Sequence, residues 1–305
     1  MRILRYLPVL LGLVGPAACS PSPSGPAAPT AAAAPAPAFA ADAALAEVNA
    51  LRARLGLAPL AADARLADAA RAHAAYLARH GAEQAQAGLS AHLEIPGRPG
   101  FVAETAADRL EQVDPDAVLA SEVIGRAEPV SAAVAAWLAA PETRLALLRP
   151  EAHAAGVGAT EVGAPLVVTL TADPRALAAS RLTNAEVVAF PTVAAGDAPA
   201  RTVGADGVPR GPVITLSVFG GVISVERVAV TRARDGAVVA ATWRTFASDQ
   251  GVDPRDVIIV PDAPLRAGER YDVRVEGALG GAPLVHAWRF DTAPAELRVA
   301  GGPRG

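Results

Sequence analysis

Lysine is missing from this chain altogether: all 27 basic residues among its 305 are arginine. With 27 prolines and abundant alanine, that bias reads as codon usage rather than function. Aromatic residues make up 4% against 52% hydrophobic, so the cores have to be packed from Ala, Leu and Val. A single cysteine, Cys19, excludes an intrachain disulfide. The formal charge is −4 and there is no basic stripe to neutralise phosphates, so nothing points to nucleic acid. A Gly-x-Ser-x-Gly elbow and a His-Glu-x-x-His helix are both absent, which removes two common sources of hydrolytic chemistry. Gly220-Gly221 and Gly280-Gly281 lie between strand-like runs and read as turns, not as phosphate cradles.

What is present begins at the N-terminus. Arg2 and Arg5 precede an apolar run from Leu7 to Val14, which is too short to span a bilayer. Small residues follow, the layout of a secretory signal over residues 1–19. Pro16-Ala17-Ala18-Cys19 resembles a lipobox, with Pro16 where leucine is usual. Lipidation at Cys19 would tether the chain to a membrane of the cell envelope; a plain cleaved signal would leave it secreted. Residues 20–40 are Pro, Ala, Ser and Thr without apolar period, a disordered linker by composition.

From Asp42 the pattern turns helical. Leu45, Val48, Leu51 and Leu55 recur at spacings of three and four, and Gly56 is a C-cap candidate. Asp63 caps a second helix carrying Leu66, Ala70, His73, Tyr76 and Leu77 on one face, with Gly81 expected to end it. Residues 82–103 read as loop. Further helical stretches span Glu104 to Val113, Ser131 to Leu138, and a short run from Pro141 through Leu148. Strand candidates at Gly156–Thr160 and Pro165–Thr171 flank a Gly163 turn, giving an α+β layer fold over residues 41–172. After a connector at 173–185, residues 186–296 show short runs rich in Val, Thr and Ile. The clearest are Val213–Val218, Ser224–Thr231, Val238–Arg244, Asp256–Val260, Arg270–Val275 and Val285–Asp291. That spacing suggests an all-β immunoglobulin-like sandwich, followed by a flexible tail at 297–305.

Six stations in residues 41–172 resemble, in order, the bacterial branch of the CAP (SCP-like) superfamily. They are Asn49-x-x-Arg52-x-x-x-Gly56-Leu57-x-Pro59-Leu60, then Leu66-x-x-Ala69-x-x-x-His73-x-x-Tyr76-Leu77, then Ser90-Ala91-His92. Ser121-Glu122-Val123-Ile124, Val134-x-x-Trp137-Leu138-x-x-Pro141-x-x-Arg144, and Leu148-x-Pro150 leading to Gly156-Val157-Gly158 complete the series. The second region resembles the bacterial Ig-like modules that follow such domains. There the carriers are Gly211-Pro212-Val213-Ile214-Thr215-Leu216, Pro264-Leu265-x-x-Gly268-x-x-Tyr271-x-Val273 and Trp288-x-Phe290-x-Thr292.

The CAP resemblance implies an α-β-α sandwich with a shallow polar cleft, where many members gather two His and two Glu able to hold a divalent metal. Carried over by position, this chain supplies His92 and Glu122 and departs at Val123 and Thr143, where Asn and His are common. Glu142 is a further cleft candidate, one position out of register. A stable divalent site needs three or four placed ligands, so two residues favour a hydrogen-bonded brace. The alternative is a weak zinc site completed by His153 or Glu142. His73 reads as a satisfied core histidine, His80 as a helix-end cation, and Trp137 as a core anchor.

The resulting expectation is an exported CAP-like envelope protein with a degenerate polar cleft. It would lack a committed cofactor and bind an unidentified envelope ligand or protein partner. Two alternatives stand beside it: a metal-assisted envelope hydrolase using His92 and Glu122, and a lipid-binding protein using the CAP groove.

Overall fold

The computed structural model describes residues 41–126, 129–159, 163–173, 175, 187–204 and 206–295. The signal-like segment with Cys19, the linker at 20–40, most of the 173–185 connector and the 297–305 tail lie outside the described residues.

The first part contains helix α1 (Ala41–Arg54), strand β1 (Ala61–Ala62) and helices α2 (Ala64–Gln86) and α3 (Ala106–Val113). Strand β2 (Val118–Arg126), helices α4 (Val130–Ala139) and α5 (Pro141–Leu147), and strands β3 (Ala152–Gly158) and β4 (Pro165–Ala172) follow. The sheet runs β1-β3-β4-β2, with β1 parallel to β3 and the other pairs antiparallel. Side chains alternate across a strand, and here both faces are apolar. Leu166, Val168 and Leu170 of β4 pack with Val48, Val134 and Trp137 from α1 and α4. Val167 faces the other way, against Ala70, Ala74, Tyr76 and Leu77 of α2. The result is a helical layer on each face of one sheet.

The recurring motifs have mechanical roles in this part. Asn49 Nδ2 donates to the Leu60 carbonyl (2.9 Å) while its Oδ1 accepts from Leu60 N (2.8 Å), fixing the exit of α1. Arg52 is fully buried and donates to the carbonyls of Ala58, Leu147, Arg149 and Ala152 at 2.9–3.0 Å. Burial pushes its guanidinium down to about 10, against the pull of Glu151. Gly156 and Gly158 let α2 lie directly on β3: an added Cβ would come 2.1 Å from the Leu66 carbonyl carbon and 2.1 Å from Arg71 N.

Helix α2 does not stop at Gly81. Ending a helix with glycine requires left-handed backbone, and that conformation falls at Gly88 (φ 70), just after the C-cap Ala87. His80 accordingly lies inside α2 and not at its end, with Nε2 3.0 Å from the Pro99 carbonyl.

The second part has strands β5 (Val187–Phe190), β6 (Thr202–Val203), β7 (Pro209–Arg210), β8 (Ile214–Val218), β9 (Ile223–Arg232) and β10 (Val238–Val239). Strands β11 (Ala241–Arg244), β12 (Asp256–Pro261), β13 (Arg270–Leu279) and β14 (Ala282–Asp291) complete it. Two four-stranded sheets, β11-β12-β8-β5 and β10-β9-β13-β14, face each other, and β6 pairs with β7 in a small separate hairpin. Between the two sheets lies a core that includes Ile214, Leu216, Val257, Val273 and Phe290. The run 238–244 is two strands: β10 pairs with β9 in one sheet and β11 with β12 in the other, so the chain changes sheets at a sandwich corner.

The described residues beyond Ala41 belong to one compact unit. The α5 side of the first part rests on the β12 sheet through Leu145, Val252 and Ile258. Arg149 meets Asp256 (Nη1 to Oδ1 3.1 Å, Nη2 to Oδ2 3.0 Å) and Asp253 (3.1 Å). Arg255 Nη1 reaches back to Glu151 Oε1 at 2.6 Å.

Candidate functional site: a buried chain of charges

The cleft is assembled where the 87–105 loop folds back over α2. A polar stripe on that helix pins the loop: Tyr76 Oη accepts from Ile95 N (2.8 Å) and Gln84 Nε2 donates to the Leu93 carbonyl (3.0 Å). His73 belongs to the same stripe. Its Nδ1 lies 2.8 Å from Glu94 Oε1 and its Nε2 3.0 Å from the Ala91 carbonyl, so both ring nitrogens are engaged. Glu94 Oε2 accepts from Val102 N at 2.6 Å. Both residues are buried, and a buried carboxylate without such partners would cost several kcal/mol, on the order of its desolvation.

Helix α3 brings in the central cation. Thr105 and Asp108 form a capping box that fixes the first turn, with Thr105 Oγ1 accepting from Asp108 N (3.2 Å). Arg109 follows and points inward, 3% exposed. Its Nη2 donates to Glu122 Oε1 and Oε2 (3.1 Å each) and to the His92 carbonyl (3.1 Å). Its Nη1 lies 3.9 Å from Glu94 Oε1 and donates to the Ala103 carbonyl at 3.3 Å. Strand alternation on β2 turns Glu122 toward the α2 layer, with Val123 on the opposite face in the α1/α4 core.

At the solvent end, His92 Nδ1 lies 2.9 Å from Glu122 Oε1. The carboxylate can only accept, so Nδ1 carries the hydrogen of this contact, on a ring whose side chain is 51% exposed. Burial alone would raise the Glu122 carboxyl, but the His92 hydrogen bond and the Arg109 charge outweigh it and hold it below the usual range. The order from solvent to core is His92, Glu122, Arg109, Glu94, His73. Beside it runs a groove of about 710 Å³ whose lining includes Leu77, Gly81, Ala91, Ile124 and Arg126.

The other candidates lie elsewhere. Glu142 is in the first turn of α5 and faces Arg244 of β11 at 3.7 Å, across the joint between the two parts. His153 is exposed at a register shift in β3, and β4 separates that strand from the β2 strand of Glu122, about 10 Å of sheet. Thr143 bonds the carbonyls of Trp137 and Ala140, closing the end of α4. The Ser90 oxygen accepts from the backbone N–H of His92 at 3.2 Å. Sequence reasoning missed Arg109 and Glu94 and gave His73 no partner. The available signals were the His92-x-Glu94 spacing and the Thr105-x-x-Asp108 box directly before Arg109.

Residues 45–171 match the cysteine-rich secretory protein (CAP) family. This segment is similar to CAP domains. Among curated proteins none matches the chain. Solved structures similar to it include an extracellular protein containing an SCP domain from Bacillus anthracis (22% identity, TM-score 0.35, covering 44% of this chain and 40% of that one). An outer surface protein of Borrelia burgdorferi is another (19% identity, TM-score 0.33, covering 43% of this chain and 90% of that one). The chain thus spans well under half of the Bacillus protein's length.

A divalent ion in the cleft of this CAP domain would need free donor atoms, and the residues present do not fit one. Both Glu122 oxygens face Arg109, one of them also meets His92, and a guanidinium charge stands beside them. Among the described residues, no group of three His, Cys, Asp or Glu is placed to hold a metal ion.

Proposed function

We propose that this chain is exported and held at the cell envelope, where its CAP domain binds a ligand or partner instead of catalysing a reaction. The β-sandwich serves in this reading as an immunoglobulin-like module, and Cys19 as the lipid attachment point. One observation carries the non-catalytic part: the Glu122 carboxylate is spent internally on Arg109 and His92, so it is not free to polarise a water or hold an ion. Supporting the address are the basic and apolar N-terminal segment ahead of Cys19 and the secretory family to which residues 45–171 match. The groove beside His92 offers a seat for the ligand.

The hydrolase reading keeps one feature in its favour, a half-exposed histidine oriented by a carboxylate. Fractionation of cells making the full chain and its Cys19→Ala variant tests the tether: the parent is expected with membranes and the variant in the soluble fraction. Incubating the soluble variant with isolated envelopes tests the rest. Saturable retention without released fragments is expected. Release of soluble fragments that stops in His92→Ala would replace binding with hydrolysis.

A further inference from the structure

We infer that Arg109 is the resident cation of the CAP cleft, a built-in replacement for a divalent ion, so that the cleft is assembled and works without metal. The inference deepens the binding reading and shares its site, but it stands or falls on metal affinity, which the envelope experiment does not measure.

Two histidines and two glutamates do gather in this cleft, in a line interrupted by a guanidinium. Arg109 faces Glu122 at 3.1 Å on one side and Glu94 at 3.9 Å on the other, with His92 and His73 on the far sides of those carboxylates. The side chains of Glu94 and Glu122 are 0% and 4% exposed, and two buried carboxylates so placed repel unless a cation stands between them. A guanidinium also does what an ion bound only by side chains does not. It donates to the carbonyls of His92 and Ala103, tying the two ends of the 92–103 loop segment to the carboxylate pair. Five donors in a planar fork suit that division of labour. The capping box ahead of Arg109 belongs to the same device, because it fixes the turn that aims the fork inward.

The consequence is an inverted metal dependence. Removing Arg109 leaves the Glu94 and Glu122 carboxylates, each still held by a histidine on its far side, without the cation between them, and a divalent ion that takes oxygen ligands could enter the space it filled. The test uses the full chain carrying Cys19→Ala, which also removes the lone thiol as a zinc ligand. Zinc and manganese titrations followed by calorimetry are expected to show no binding tighter than about micromolar, and EDTA is expected to leave the melting temperature unchanged. A one-to-one site that disappears in His92→Ala would overturn the inference. Arg109→Met is expected to melt lower without metal and to bind zinc at least about a hundredfold more tightly than its parent, with a rise in melting temperature that Glu122→Gln abolishes. A folded Arg109→Met that gains no metal affinity would also overturn it. Should Arg109→Met fail to fold, Arg109→Lys decides: recovery of a folded, metal-indifferent protein is expected, and a Lys variant as defective as Met would show that charge is not what the position needs.

Discussion

Glu122 carries the pH dependence of the cleft. Burial pulls its carboxyl upward, while His92 and Arg109 together pull harder and leave it below the ordinary carboxylate range. A depressed folded-state value means that ionised Glu122 contributes stability at and above the ordinary range, and that this contribution is lost as pH falls through the folded value. Glu122→Gln is therefore expected to destabilise the chain by about 2 kcal/mol at neutral pH, the scale of a buried charge-assisted hydrogen bond. The gap in melting temperature between parent and variant should narrow below about pH 4. Melts at neutral and acid pH check this; a gap of constant size would mean that the ionised pair is not what Glu122 contributes. At this scale the sequence exposes only half of the site. His92 and Glu122 sit in recognisable stations, whereas Arg109 looks like any helical arginine. Glu94 and the His92 carbonyl reach it only because the 87–105 loop folds back, a tertiary event that spacing along the chain does not encode.

Among the elements, α2 and β3 show most clearly what glycine does here. The Gly156-Val157-Gly158 station is legible as a motif, but its reason appears only when α2 is seen lying across it. A Cβ at Gly158 would meet Arg71 N at 2.1 Å, backbone that cannot yield without moving the helix. Gly158→Ala is expected to cost about 2 kcal/mol or more through forced separation of the two elements. Gly81→Ala should do the reverse. Its Cβ would rest 3.8 Å from Leu77, an ordinary contact, and removing glycine from a helix interior is worth up to about 1 kcal/mol. Denaturant unfolding of the two variants gives opposite signs if this is right; a loss at Gly81 or neutrality at Gly158 contradicts it. The error at Gly81 and the split of 238–244 share a cause. A glycine stops a helix only where the fold imposes left-handed backbone, and a valine-rich run changes sheets only where the sandwich turns its corner. Strand β4, by contrast, is readable outright, because its apolar run is buried on both faces.

In the whole molecule, the contacts between the CAP-like part and the sandwich are expected to make the two unfold together. Arg149 grips buried Asp256 with both terminal nitrogens and also meets the half-buried Asp253. Arg149→Ala leaves Asp256 buried without its cation and is expected to cost about 3 kcal/mol. Asp256→Asn should cost less at neutral pH. Burial, more than any neighbour, raises the Asp256 carboxyl despite Arg149, so keeping it ionised already costs the folded state, and that cost eases as pH falls toward the folded value. Chemical unfolding of both variants, with probes in each part, should show one shared transition for the parent and the larger loss for Arg149→Ala. A metal-free cleft that binds at the envelope is tested most directly by the retention of the soluble Cys19→Ala chain on isolated envelopes with and without EDTA. Equal saturable retention in both is the predicted result; retention lost in EDTA and restored by zinc would contradict it.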